Sequence, residues 1–145
     1  MISHRWIKYA SLTALALLLS LTGTSAKAFN IQKVVSSQGI DAWLVEDHTN
    51  PIIATEFDFR GGAALDPVGK AGLAYMTASL LDEGVGDMDS QTFQGKLEDL
   101  AISLSFNAST DGFQGSLKTL TSNRDVAFDM MRLSLTKPRF DADAV

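Results

Sequence analysis

Apolar and polar residues alternate in short runs over the first part of the chain after residue 30. Residues 31–36 and 40–46 each have the composition of a strand, and the turn at 37–39 between them predicts a hairpin. A third strand is predicted over 52–60, where apolar and polar side chains alternate with a period of two. The glycine pair at 61–62 ends this strand.

Apolar residues at helical spacing follow at 72–84, in a run that Gly84 closes. One side of this helix is expected to pack inward, and it carries Leu73, Met76, Thr77 and Leu80. The opposite side carries Tyr75, Ala78, Ser79 and Asp82. A second helix is predicted after a cap at Asp89 or Ser90. Its buried stripe consists of Phe93, Leu97, Leu100 and Ala101.

The last part of the chain predicts a hairpin followed by a helix. Residues 102–110 alternate cleanly, the Asp-Gly pair at 111–112 is a strong turn signal, and 113–120 returns as a strand. A third helix is expected from a cap at Ser122 or Asn123 as far as the Lys-Pro pair at 137–138. Its buried side carries Val126, Met130 and Leu133.

Five strands and three helices in this order predict an α+β fold, with an antiparallel-rich sheet covered by helices on one face. Residues 140–145 have the composition of the first turn of a further helix. We therefore expect the chain to end before the fold is complete.

Residues 1–28 have the three parts of a secretory signal peptide. Basic residues precede an apolar core at 12–21, and the small-x-small sequence at 26–28 fits a cleavage site directly before Phe29. A membrane anchor is not expected, because the apolar core is much shorter than the ~20 residues that span a bilayer. We predict cleavage after Ala28 and one mature domain from 29 to 145.

Composition and charge limit the cellular compartments and the kinds of partner that we expect for this protein. The formal net charge is −5, and removal of the signal peptide takes away basic residues and no acidic ones. Such an acidic chain is not expected to bind nucleic acid or an anionic membrane. The chain has no cysteine, which rules out disulfides and thiolate metal sites. An exported protein of this composition suits the bacterial periplasm.

The helix at 72–84 resembles the metal-binding helix of the pitrilysin/insulinase (M16) family of zinc peptidases. In that family the run reads Gly-Leu-Ala-His-x-x-Glu-His-x-Leu, an inverted motif with two zinc ligands one helical turn apart. Here the ligand positions hold Tyr75 and Ser79, and the general-base position holds Ala78.

Five stretches resemble this family in the correct order. They are the hairpin at 39–48, the strand end at 59–66, the approach to the motif helix at 69–74, the edge strand at 105–111 and the Phe-Asp pair at 140–141. The resemblance implies the first half of a pitrilysin or mitochondrial-processing-peptidase-like domain, truncated at the C-terminus. In the family, substrate peptides add as a strand to the sheet edge, at positions matching Asn107, Ala108 and Ser109. The alternative is that these three are ordinary strand residues.

The substitutions remove the zinc chemistry that the resemblance would imply. A phenol stays protonated near neutral pH, a serine hydroxyl is a weaker ligand still, and alanine cannot deprotonate a water. The family's third ligand, a later glutamate, is expected beyond Val145. After cleavage of the signal peptide, His48 is the single histidine left. We therefore expect no bound zinc and no other cofactor.

Three functional interpretations are open at this point. The favoured one is a non-catalytic periplasmic subunit, which pairs with an active zinc peptidase of the same family and helps to hold a peptide substrate. The second is an active metalloendopeptidase whose ligands come from outside this chain. The third is a truncated gene remnant without a function.

Overall fold

The computed structural model describes residues 30–142. The predicted signal peptide, its cleavage site at Ala28 and residues 143–145 lie outside the described residues. The chain divides into two compact units, with the boundary between Asp47 and His48. Within residues 30–142, no helix is long and apolar enough to cross a bilayer.

The first unit contains a two-stranded hairpin. Strand β1 (Ile31–Val35) pairs antiparallel with β2 (Asp41–Val45), in a register that places Lys33 opposite Trp43. The turn is held by Ser36, whose hydroxyl accepts hydrogen bonds from the backbone N–H groups of residues 38 and 40. The predicted hairpin is thus confirmed within one residue at each end.

The second unit is built on a three-stranded antiparallel sheet. Its strands are β3 (Ile52–Arg60), β4 (Ser103–Ala108) and β5 (Gly112–Leu120), and the spatial order is β3-β5-β4. The five predicted strands therefore exist, but they form two sheets within residues 30–142 and not one.

Three helices accompany this sheet: α1 (Leu73–Leu80), α2 (Ser90–Asp99) and α3 (Arg124–Thr136). Asp89 caps α2 as predicted, because its carboxylate accepts a hydrogen bond of 2.9 Å from the backbone N–H of Thr92. Asn123 occupies the N-cap position of α3, as predicted, but its side chain makes no capping hydrogen bond. The Asn123 amide instead donates to the carbonyl of Leu100 at 2.7 Å.

The hydrophobic core lies between one face of the three-stranded sheet and helices α2 and α3. Its buried members are Val85, Phe93, Leu97, Ile102, Leu104, Leu117, Ala127 and Met130. The opposite sheet face is polar. This arrangement confirms the α+β class with helices on one face. One predicted core residue is wrong: Ala101 is exposed and has a φ of 51°, since the chain turns there to leave α2 for β4.

The last described residues are tied to the connector between α1 and α2. The N–H of Gly86 donates to the carbonyl of Lys137 at 2.9 Å, and the N–H of Arg139 donates to that of Gly84 at 3.1 Å. Val85, which is fully buried, sits between these bonds. Residues 140–142 are not helical, and Phe140 has a φ of 51°.

Candidate functional site

The loop between β3 and α1 positions the helix that carries the motif. Asp66 reaches across this loop, and its carboxylate accepts hydrogen bonds from the N–H groups of Gly72, Leu73 and Ala74 at 2.7, 3.1 and 3.0 Å. These are donors that a helix start leaves without an intrahelical partner. A negative charge at this end also complements the helix dipole. An acidic residue at position 66 therefore determines where α1 begins.

The same loop is joined to the tip of the β4–β5 hairpin. The N–H groups of Ala63 and Ala64 donate to the carbonyls of Ser109 and Thr110, each at 2.9 Å. Gly62 has a φ of 119°, and a Cβ at this position would lie 2.3 Å from the Ser109 carbonyl oxygen. Glycine is required here because the two backbones approach so closely.

The three motif positions of α1 differ in their surroundings. Tyr75 is 48% exposed, whereas Ala78 is 2% exposed. Ser79 is exposed, and its hydroxyl donates to the carbonyl of Met76 at 2.9 Å. The positions equivalent to the family's two zinc ligands therefore carry a solvated phenol and a hydroxyl that bonds to its own helix.

The predicted inward side of α1 is wrong in two of its four residues. Leu73 and Met76 are each 43% exposed, while Ala78 and Leu80 are buried. Helix α1 lies next to β4. The buried stripe of this helix includes Ala78 and continues to Leu81, with Ala74 and Thr77 half-buried, so it runs between the two sides described from the sequence.

The donor set of α1 does not fit a zinc ion. Zinc in proteins is bound by imidazole, thiolate or carboxylate, and α1 offers none of these at its ligand positions. Within residues 30–142, no three histidine, cysteine or acidic side chains are grouped so as to hold a metal ion.

Asp82, just beyond α1, has a perturbed acidity. It is half-buried, and this burial raises the pKa of its carboxyl, with a smaller contribution from the neighbouring charge of Glu83. Its backbone carbonyl accepts a hydrogen bond of 2.7 Å from the Gln94 amide, which links the end of α1 to α2.

The predicted peptide-binding residues lie at the β4 side of the sheet. Strand β4 has β5 as its one partner within the described residues, so it is an edge strand. Asn107 is exposed, whereas Ala108 is 4% exposed. Ser109 lies one residue past the strand. Its N–H donates to Gly112 and its carbonyl accepts from Ala63, so its backbone groups are already engaged.

The pairing geometry identifies which backbone groups of β4 face outward. Ser109 donates to Gly112, its cross-strand neighbour, so this is a hydrogen-bonded pair. Such pairs alternate with non-hydrogen-bonded ones in an antiparallel ladder. Residues 103, 105 and 107 therefore bond to β5, and the N–H and C=O groups of 104, 106 and 108 point away from it. Asn107 contributes a side chain to this edge and not its backbone.

Two features of this site were not predicted from the sequence. One is the capping role of Asp66, and the other is the requirement for glycine at position 62. The first has a local signal, because an acidic residue a few positions before an apolar helical run is typical of helix starts. The second has none, since it depends on a contact with Ser109, far away in the sequence.

Comparisons with known proteins point to one family. The chain is 30% identical over 123 residues to the "Non-peptidase homolog YmxG" of Helicobacter pylori, covering 85% of this chain and 28% of that protein. It also matches the crystal structure of a "peptidase M16 inactive domain" from Pseudomonas fluorescens, with a TM-score of 0.71 and 28% identity over 79% of this chain. A protease structure from Helicobacter pylori has a TM-score of 0.65 at 17% identity, covering 81% of this chain, which shows the fold alone.

The matches cover only part of each similar protein. This chain spans 28% of the length of each of the three proteins. A scan against protein-family models found no match. One of the three is described as a non-peptidase homolog and another as an inactive domain, and the motif positions of α1 likewise lack zinc-binding side chains.

Proposed function

Starting from the confirmed resemblance to inactive members of the pitrilysin/insulinase (M16) family, we propose that this chain acts by binding and not by catalysis. It is a non-catalytic, periplasmic subunit that pairs with an active zinc peptidase of the same family and helps to hold a peptide substrate. The observation that carries this proposal is that α1 keeps its place in the fold while its three motif positions hold Tyr75, Ala78 and Ser79.

Each catalytic position of α1 is occupied by a side chain that cannot replace the family's residue. Tyr75 and Ser79 lack the basic nitrogen that binds zinc. Ala78 has no acid–base group, and it is 2% exposed, so it has almost no contact with solvent. The helix is retained around these positions, because the Asp66 cap and the buried side chains of Ala78 and Leu80 keep α1 in place. Retention of the scaffold without its chemistry supports a role in binding.

Peptide holding is supported by the free edge of β4. A peptide that adds as a strand bonds to main-chain groups, so this function does not need the lost side chains. The outward groups of 104, 106 and 108 provide three positions for such bonds. Leu104 and Ala108 are buried residues, so access at these two is narrow, and Phe106 is the more open position in the middle.

The zinc content of the purified mature chain tests the non-catalytic part of this proposal. The protein is loaded with zinc, dialysed and analysed for metal, and its action on an unstructured peptide is followed with and without a catalytic M16 subunit. We expect less than one tenth of a zinc per chain and no cleavage by the chain alone. About one tightly held zinc per chain, with cleavage that a chelator stops, would show an active enzyme.

Peptide holding is tested separately with backbone-modified peptides. An extended peptide bonds to a sheet edge through alternate residues, so N-methylation at one set of alternate positions blocks strand addition and N-methylation at the other set does not. We expect this asymmetry, together with slower amide exchange at residues 104, 106 and 108. Equal binding of both N-methylated peptides would exclude strand addition at β4.

A further inference from the structure

The tip of the β4–β5 hairpin contains the single Asp-Gly pair of the chain, Asp111 and Gly112. An aspartate that precedes glycine is prone to isomerise, because glycine has no Cβ to hinder attack of its nitrogen on the aspartate side chain. The pair marks the hairpin turn in the sequence, and its chemical reactivity is a separate property. The fold around the pair determines how fast the reaction runs.

The reaction forms isoaspartate in two steps, and water is the one reactant that it needs besides residues 111 and 112. The nitrogen of Gly112 loses its proton and bonds to Cγ of the protonated Asp111 carboxyl. The hydroxyl of that carboxyl leaves and takes up the proton as water, which gives a five-membered succinimide ring. Water then opens the ring. When the bond between the nitrogen and the former main-chain carbonyl breaks, the backbone runs through Cγ and is one carbon longer.

Hydrogen bonds hold the reacting peptide group on both of its sides. The carbonyl of Asp111 accepts a bond of 2.9 Å from the N–H of Gly61. The N–H of Gly112 donates to the hydroxyl oxygen of Ser109 at 3.0 Å. Ring closure turns this peptide group about the Cα–C bond of Asp111, so it breaks both bonds. The nitrogen of Gly112 also keeps its proton for as long as it donates to Ser109.

A carboxylate beside Gly112 opposes the same step. Asp58 lies on the neighbouring strand β3, and a Cβ added to Gly112 would lie 3.2 Å from its Oδ2 and 3.4 Å from the hydroxyl oxygen of Ser109. Loss of the proton from the Gly112 nitrogen creates a negative charge, which a nearby carboxylate disfavours. The same crowding explains the glycine at position 112, since a side chain there would be closer to Asp58 than in an ordinary contact.

The hairpin tip has no space for the longer backbone of isoaspartate. A Cβ at Gly62 would lie 2.9 Å from the carbonyl oxygen of Gly112, so the β3–α1 loop and the tip are already in close contact. Backbone bonds from residues 61, 63 and 64 to the tip hold this loop in place. An extra main-chain carbon at residue 111 displaces the carbonyl to which Gly61 donates, and it thereby weakens the attachment of the loop.

We propose that Asp111 is a site of spontaneous isomerisation to isoaspartate, which the folded hairpin slows and which loosens the loop before α1 once it has taken place. Ser109 and Asp58 are the residues that slow the reaction. The inference depends on contacts within residues 58–112 and on water, so it is independent of the proposed function.

Prolonged incubation of the purified mature chain near neutral pH tests this proposal. Tryptic peptides that contain residue 111 are analysed at intervals, and isoaspartate is detected by methylation with an isoaspartyl methyltransferase. The same chain in urea is the comparison. We expect isoaspartate to form about tenfold more slowly in the folded chain, because the reaction there requires local opening of the tip. Equal rates would overturn the protective role of the fold, and absence of isoaspartate from both samples would overturn the site itself.

Two variants test the protecting residues. Ser109→Ala removes the acceptor for the N–H of Gly112 and is expected to speed isomerisation about three- to tenfold. Asp58→Asn removes the neighbouring charge and should speed it as well. The matched controls are Ser105→Ala on β4 and Glu56→Gln on β3, which are expected to leave the rate unchanged. Equal rates for a variant and its control would contradict the role of the residue concerned.

A general loss of stability is distinguished by a variant outside the hairpin. Val85→Ala removes buried methyl groups from the core, and it is expected to leave the isomerisation rate unchanged while the chain is folded. Ser109→Thr keeps the hydroxyl and is expected to keep the original rate. Equal acceleration by Val85→Ala and Ser109→Ala would show that the reaction takes place in the globally unfolded chain, which overturns the role of Ser109.

Amide exchange of the modified chain tests the effect on the loop. The isoaspartyl form is separated by ion exchange, since its free carboxyl is a main-chain one and more acidic than that of aspartate. We expect faster exchange at residues 61, 63 and 64 than in the unmodified chain, with no change in α3. Unchanged exchange at these three residues would show that the tip accommodates isoaspartate, which overturns the loosening of the loop.

Discussion

Ala78 occupies the position at which the family's metal-binding motif has its general base. The residue is 2% exposed, so a carboxylate at the position of the family's general base would have almost no contact with solvent. Tyr75 and Ser79 on the same helix are exposed and keep polar groups, but one is a phenol and the other bonds to Met76. Restoring the motif would therefore put an ionisable side chain at a buried position, in addition to two new ligands.

Ala78→Glu is expected to lower the free energy of unfolding by about 2–4 kcal/mol, because it puts an ionisable side chain into a buried position without a partner. Ser79→Glu on the exposed side is the control and should change it by less than about 0.5 kcal/mol. Urea unfolding followed by circular dichroism measures both. Similar effects of the two variants would show that position 78 is open to solvent.

The combined variant Tyr75→His, Ala78→Glu and Ser79→His rebuilds two ligands and the general base. We expect weak zinc binding and no peptide cleavage, because catalytic zinc usually has three protein ligands. Zinc-dependent turnover of an unstructured peptide by this variant would contradict the expectation.

Asp82 is expected to make stability fall as pH rises through the acidic range. Burial raises the pKa of its carboxyl in the folded state, so folding favours the protonated form. This stabilisation is complete below the pKa of the unfolded chain, and it is lost as pH rises through the raised pKa of the folded chain. Asp82→Asn should remove this contribution. The check is the free energy of unfolding of both proteins across the acidic range, and parallel curves would refute the prediction.

At the scale of elements, the position of α1 depends more on the hydrogen bonds at its first residues than on its amphipathic pattern. Its first N–H groups bond to Asp66, which lies outside the helix. The loop before it is fixed to the β4–β5 hairpin by backbone bonds from Ala63 and Ala64. The motif helix and the β4 edge are therefore held by one continuous set of contacts, which keeps the candidate peptide site in place without a metal.

Asp66→Ala is expected to cost about 1–2 kcal/mol of stability, because it leaves three backbone donors of α1 without their acceptor. Amide exchange at residues 72–74 should accelerate most. Asp99→Ala, which removes an exposed acid from the end of α2, is the matched control with the same change in charge. Thermal unfolding together with exchange distinguishes the two, and equal losses would exclude the capping role.

At the scale of the whole molecule, the two units differ in how much they bury. The second unit contains the hydrophobic core, whereas all described residues from 33 to 47 in the first unit are exposed. Both outer strands of the second unit's sheet, β3 and β4, pair only with β5 within residues 30–142. Local stability should therefore vary strongly along the chain.

Amide exchange is expected to be slowest in β5 and fastest in the hairpin of β1 and β2. Strand β5 is central in its sheet and carries the buried residues Leu117 and Thr119. The expected difference is at least a hundredfold in protection, measured by exchange of the mature chain near neutral pH. Uniform protection over both units would show that they unfold as one.

Export is expected to remove residues 1–28. Mass spectrometry of the periplasmic fraction should find Phe29 as the first residue of the mature chain. A chain with an intact N-terminus in the membrane fraction would show that the apolar segment is an anchor.

Local patterns in the sequence were sufficient for most of the secondary structure. Strict alternation defined β3 at 52–60, and the Asp-Gly turn defined the β4–β5 hairpin, because a period of two and a turn residue act over a few neighbours. The loss of metal ligands at Tyr75 and Ser79 was also determined by the sequence, since it depends only on which side chains are present.

Only the tertiary structure decided which surfaces are buried and which are open. Leu73 and Met76 have the spacing of core residues, yet they are exposed, because the buried stripe of α1 runs through Ala78 and Leu81. Ser109 continues the pattern of β4, yet its backbone is bound by Ala63 and Gly112. The two sheets and their open edges likewise follow from pairings between distant strands. Such contacts join residues far apart in the chain, and periodicity within a short window carries no information about them.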